Sequence, residues 1–229
     1  MVCASACLLL ECADSESHRH HPNQRKPHPP LAKRRIGLTG GIATGKSTAS
    51  QLLEQRHGLP LLDADVFARK ALEPGSEGSA AVLQRYGEQV AAQSGVIDRR
   101  ALGTLVFNDP AERHWLEQLV HPLVRQRFDE ELARLAASPT MVLVIPLLFE
   151  AGLTDLCTET WLVDCDETQQ LQRLTTRDQL SQEEAQARME AQWPLARKRL
   201  LADVLISNRG DNECLAQQLA LALEQGINP

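Results

Sequence analysis

Apolar residues along the chain fall into two kinds of run, and their order predicts the architecture. Short apolar runs bounded by turn residues occur at Arg35-Ile36-Gly37-Leu38-Thr39, Leu59-Pro60-Leu61-Leu62, Met141-Val142-Leu143-Val144-Ile145, Thr160-Trp161-Leu162-Val163-Asp164 and Val204-Leu205-Ile206. Runs of that length and composition read as buried strands. Between them the pattern turns helical, and from Ala80 to Ser138 there is no strand signal. Val124, Phe128, Leu132 and Leu135 recur at helical spacing and predict a buried stripe, with His121-Pro122 at the start of that helix, where proline is tolerated. Strands alternating with helices predict an α/β fold with three layers, a parallel sheet carrying helices on both faces.

Composition adds limits. The chain has 229 residues, 43% hydrophobic and 24% charged, which suits one large globular domain with room for inserted lobes. A net charge of -6 argues against nucleic acid as the main partner, while the 24 lysines and arginines leave room for a local basic pocket. No apolar run approaches the roughly 20 residues of a bilayer span, so no membrane association is expected. Of the six cysteines, Cys157, Cys165 and Cys214 form no CxxC pair, and a reducing cytoplasm is the simplest reading. Residues 1–33 differ from the rest. Their apolar patch from Cys7 to Leu10 is cut short by Glu11 and Asp14 and does not make a secretory signal. Their His and Pro content matches no zinc spacing and predicts a disordered extension, leaving 34–229 as the folded domain. Nothing in the sequence fixes the oligomeric state.

The candidate chemistry begins after the first strand. Gly40-Gly41-Ile42-Ala43-Thr44-Gly45-Lys46-Ser47 matches GxxxxGK[ST] in full, with a strand before it and helix formers after it. Glycines let the backbone turn its N–H groups around phosphate oxygens, and the positive end of the next helix adds to that field. Gly41, Ile42, Ala43, Thr44, Gly45, Lys46, Ser47 and Thr48 are therefore the candidate ATP-binding set. Lys46 would reach the β and γ phosphates, and the Ser47 hydroxyl would ligate Mg²⁺.

The rest of the chain narrows the class. It lacks the NKxD and DxxG segments of a GTPase, and the strand ending at Ile145 runs into Pro146-Leu147-Leu148-Phe149-Glu150 with no Asp at its end, unlike a motor ATPase. The second strand ends in Asp63-Ala64-Asp65. With the first two strands adjacent, these carboxylates would stand near the phosphates, where one could take a proton from an acceptor hydroxyl and the other cap the next helix. Arg173 and Arg177 lie four apart, on one face of a helix, and suit the charge of a transferring phosphoryl group. Ser181-Gln182-Glu183-Glu184 reads as a capping box opening a second helix through Gln192, and the arginine-rich pair resembles a closing lid. Asn208, before Arg209-Gly210, is either a contact for the nucleotide base or a plain turn. A small-molecule kinase fits best, with kinases for other acceptors and a non-catalytic ATP-binding regulator as alternatives.

These marks together resemble the dephospho-coenzyme A kinase family: Ile36 to Ser47, Asp63-Ala64-Asp65, Leu119-Val120-His121-Pro122, Val144 to Glu150, Arg173 with Arg177-Asp178, Arg188-Met189 with Gln192, and Ala202 to Gly210. The resemblance covers all but the tail. It implies transfer of the ATP γ-phosphoryl group to the ribose 3′-hydroxyl of dephospho-CoA, the last step of coenzyme A synthesis, with Asp65 as base. It further implies a core of about 34–65, 139–172 and 200–229, a helical acceptor lobe at about 66–138 and a lid at about 173–199. Ala43 departs from the glycine usual there, a change that costs little at negative φ and on the order of 1 kcal/mol or more at positive φ.

Overall fold

The computed structural model describes residues 34–92 and 95–225; the tail, with Cys3, Cys7, Cys12 and its histidines, lies outside them. In chain order the elements are β1 (Arg34–Gly40), α1 (Lys46–His57), β2 (Leu61–Asp63), α2 (Ala64–Ala71), α3 (Glu77–Tyr86), α4 (Arg99–Asn108), α5 (Pro110–Arg134), β3 (Thr140–Val144), β4 (Glu159–Asp164), α6 (Glu167–Asp178), α7 (Gln182–Glu190), α8 (Leu195–Arg199), β5 (Val204–Ser207) and α9 (Asn212–Gln225). They divide into two compact units, a helical one over Asp63–Leu135 and a second built from the chain on either side of it.

The second unit holds a five-stranded sheet of order β2-β3-β1-β4-β5. β1 pairs in parallel with β3, Ile36 opposite Val142, and with β4, Leu38 opposite Trp161, while β4 pairs in parallel with β5. The first two strands are therefore not neighbours, contrary to the expectation from sequence: β3 lies between them. Strand runs alone do not encode order, and β3, four of whose five residues are buried, takes a place beside the central strand. On one face of the sheet Ile36, Leu38, Val142, Val144, Trp161, Val163 and Ile206 pack with Ala49 and Leu53 of α1 and Leu215, Leu219 and Ala222 of α9. The alternation of period two puts the intervening residues on the other face. There Gly37 is needed, because a Cβ would lie 2.5 Å from Cys157 Sγ. Arg34 ties the sheet to the end of α9. It pairs with the buried Glu159 and donates to the carbonyls of Ala222 and Leu223, at the negative end of that helix. Glu159 also accepts from the Trp161 indole at 2.8 Å.

In the helical unit, Asp63, Ser76, Asp98 and Asp109 cap α2, α3, α4 and α5 through their side chains. Phe67 of α2 meets Phe128 of α5 edge to face at 4.9 Å between centroids. Helix α5 corrects the sequence reading. It starts at Pro110 behind Asp109, whose carboxylate accepts from the N–H groups of Ala111 and Glu112, so His121-Pro122 lies in its interior. Proline has no N–H for the Gln118 carbonyl, a loss of about 3 kcal/mol or more that burial of Val120, Val124 and Phe128 offsets. The buried stripe is also displaced: Val124 and Phe128 belong to it with Leu116, Val120 and Glu131, while Leu132 and Leu135 are half-buried.

Candidate active site

The loop between β1 and α1 has the expected sequence context, and its local geometry is specific. Thr44 closes a turn onto Gly41, its hydroxyl donating to the Gly41 carbonyl at 2.9 Å. Gly45 is the N-cap of α1 at φ 101, and the helix receives no side-chain cap and has no acidic residue in its first turn. The first N–H groups of a helix lack internal acceptors, and here no side chain from the cap supplies one. Such a terminus attracts an anion, with Lys46, Ser47 and Thr48 beside it.

Every loop carbonyl from Gly40 to Thr44 accepts a hydrogen bond. Lys46 Nζ donates to Gly40 and Gly41 at 3.1 and 3.2 Å. Gln170 Nε2 donates to Ile42 at 2.7 Å, and Asn208 Nδ2 to Thr44 at 2.8 Å. Arg173 makes long contacts to the carbonyls of Ala43 and Thr44 and a shorter one, 2.9 Å, to that of Asn208. The close approach of Asn208 explains Gly45: a Cβ there would sit 2.0 Å from Asn208 Nδ2. Ala43 lies at φ 57, so the departure from glycine seen in the sequence falls on a left-handed position and carries strain.

The sequence candidates thus separate. The loop residues, Arg173 and Asn208 form one bonded group. Asn208 holds the loop from behind; its side chain is buried against Thr44 rather than standing in an open turn. Arg177, one turn beyond Arg173, is exposed and pairs with Asp178, whose carboxyl the guanidinium holds below the usual range. Within the helical unit, Asp63 Oδ1 accepts from the N–H groups of Asp65 and Val66, so Asp63 is the cap and Asp65 stands half-buried in the first turn of α2. The capping box at Ser181 and Glu184 is present as read, although α7 ends at Glu190.

Four participants had no role assigned from the sequence, where Glu150 and Gln192 entered as marks of the family resemblance. Gln170 and Gln192 both bind Ile42. Glu150 and Lys198 form a buried ion pair at 2.6 Å, and Glu150 also accepts from the Trp193 N–H at 3.3 Å. The basic residues after α7 are held by the body of this unit: Lys198 by Glu150, Arg199 by Asp164 at 2.8 Å, and Arg197 over the Trp193 ring. Spacing offered a signal for Gln170 alone, three residues before Arg173 and so on its face of the helix.

A parallel sheet with a GxxxxGK[ST] loop between its central strand and an uncapped helix defines a P-loop kinase fold. The chain belongs to the dephospho-CoA kinase family, whose model matches residues 34–213. A dephospho-CoA kinase of Synechococcus sp. strain CC9605 is 60% identical over 185 residues, 80% of this chain and 89% of that one. Among solved structures, a Thermus thermophilus protein is 39% identical with a TM-score of 0.73, covering 86% of this chain and 99% of the other. The dephospho-CoA kinase of Campylobacter jejuni is 26% identical with a TM-score of 0.65, covering 84% of this chain and 96% of its own.

Proposed function

We propose that the chain transfers the γ-phosphoryl group of ATP to the ribose 3′-hydroxyl of dephospho-CoA, giving coenzyme A and ADP. The observation that carries this reading is the loop itself. Its carbonyls are bonded from Gly40 to Thr44, and it leads into a helix N-terminus without a capping side chain, in a chain of this family. Gly41, Ile42, Ala43, Thr44, Gly45, Lys46, Ser47 and Thr48 are the ATP-binding stretch in this reading. Lys46 brings its charge to the β and γ phosphates, and Arg173 keeps the loop in shape while adding positive charge beside it. Arg177 joins the charge around the transferring group, and Asn208 serves nucleotide binding by holding Thr44.

With Asp63 engaged as a helix cap, Asp65 is the base: it orients the acceptor hydroxyl and takes its proton as the oxygen attacks phosphorus. A Mg²⁺ ion would find an oxygen ligand in the exposed Ser47 hydroxyl, beside the phosphates that the helix terminus would hold. When bound, the ion would neutralise phosphate charge. The helical unit over Asp63–Leu135 supplies the acceptor lobe, expected at about 66–138, and the segment at about 173–199 is the lid in this proposal. The free buried thiols of Cys157 and Cys165 suit a cytoplasmic enzyme. No helix among the described residues is long and apolar enough to cross a membrane.

ADP release from the purified chain with ATP, Mg²⁺ and a panel of acceptors tests the reading. Turnover with dephospho-CoA in preference to nucleosides and shikimate is expected. Turnover confined to the other acceptors, or none with any, would remove it.

A further inference from the structure

We infer that Gln170 and Gln192 act together as positioning residues for the phosphate loop, gripping Ile42 by its carbonyl and its N–H and so linking the loop's shape to α6 and the end of α7. The inference rests on the ATP-binding part of the reading above, and on nothing about the acceptor.

Both glutamines are almost wholly buried, at 3% and 6% exposure, which is costly for an amide unless its hydrogen bonds are made. Their orientations are fixed by chemistry. The Ile42 N–H can only donate, so Gln192 presents Oε1, at 2.9 Å; the Ile42 carbonyl can only accept, so Gln170 presents Nε2, at 2.7 Å. Gln170 also fills the space above Gly41, where a Cβ would lie 2.6 Å from its Nε2. The N–H of Ile42 is thus taken by Gln192, and Ile42 serves the ATP-binding stretch by fixing its course.

The grip has a second consequence. Ala43, left-handed at φ 57, is the residue after Ile42. A strained residue persists when its surroundings over-determine it. Gln170 holds the carbonyl before Ala43, and Asn208 holds the carbonyl of Thr44 after it. Without the glutamines the loop can relax away from the shape that receives phosphate.

The test uses the full chain, titrated with ATP by calorimetry without acceptor, alongside thermal unfolding and steady-state kinetics. Gln170→Met and Gln192→Met should each weaken ATP binding about five- to tenfold, the worth of one buried hydrogen bond. KM for dephospho-CoA should stay unchanged. The double variant should lose less than the product of the two single losses, because both act through Ile42. Gln170→Glu, which sets a carboxylate against the Ile42 carbonyl, should bind ATP more weakly than Gln170→Met. If a Met variant fails to fold, Gln170→Asn and Gln192→Asn, one methylene short of the loop, carry the same expectation. ATP affinity equal to wild type in the folded single variants, with only the melting temperature lowered, would overturn the inference. So would losses that multiply in the double variant. A chain that binds ATP yet ignores dephospho-CoA would refute the acceptor assignment and leave this inference standing.

Discussion

Replacing Ala43 by glycine should stabilise the protein, although it deletes a methyl group. At φ 57 an alanine pays about 1–2 kcal/mol for its Cβ. Glycine returns about 0.4–1 kcal/mol of this through the greater freedom of the unfolded chain. Loss of the methyl group, half-buried here, costs about a further 0.4 kcal/mol, half the value for a buried methylene. The balance favours glycine by about 0.5 kcal/mol, or roughly 1–2 °C in melting temperature for a chain of this size. Ala43→Val moves the other way, since a β-branched side chain tolerates the left-handed region worse than alanine does. The two variants should therefore differ by about 2 kcal/mol, or about 4–8 °C. Gly58→Ala is the mirror control. Gly58 sits at φ 62 with nothing within 4 Å of a built Cβ, so alanine there adds strain without a clash. It should lose about 0.5–1 kcal/mol. Urea or thermal unfolding reads all three. An Ala43→Gly variant clearly less stable than wild type, beside a stable Ala43→Val, would show that residue 43 is not left-handed.

Other expectations follow from the site and the packing. Asp65→Asn should lower kcat about 100-fold or more while calorimetry finds ATP affinity nearly intact, and an unchanged kcat would move the base elsewhere. Lys46→Ala should abolish most turnover, as single-turnover measurements with ATP would record. Lys198→Met should cost about 3–5 kcal/mol in urea unfolding by stranding the buried Glu150 carboxylate, and Lys198→Met with Glu150→Leu should recover most of it. Burial pushes the His121 imidazole below its ordinary pKa. The unfolded chain therefore binds the proton more readily, and this contribution is present above about pH 6.5 and lost as pH falls towards the folded pKa. Glu117, one turn away and raised by burial, works in the opposite sense. The difference between wild type and His121→Gln isolates the histidine, and the urea midpoint of the variant should fall less between pH 7 and pH 5.5.

What was legible in the sequence was local. The strand–loop–helix around Lys46 is written within two dozen residues and the capping box at Ser181 within four, and both stand as read. Strand order was not, because the place of β3 beside β1 joins Arg34 to Thr140 across a whole helical unit. Pro122 misled because a proline beside an apolar run looks like a helix start, while the stronger signal, Asp109-Pro110, lay a dozen residues upstream in a polar stretch. Ala43 was recognised as a departure, but its sign depended on a dihedral angle that no residue letter states. Gln170, Gln192 and Asn208 are ordinary polar residues in sequence, and become loop-holders only where the fold buries them against Ile42 and Thr44.

The most direct measurement of the central claim is the position of the new phosphate. The purified chain is incubated with ATP, Mg²⁺ and dephospho-CoA, and the product is examined by phosphorus NMR and mass spectrometry. A single monoester on the ribose 3′-oxygen, formed in step with ADP and about 100-fold or more slower with Asp65→Asn, is the predicted result. Phosphate on another oxygen, or ADP formed with no phosphorylated acceptor, would contradict it.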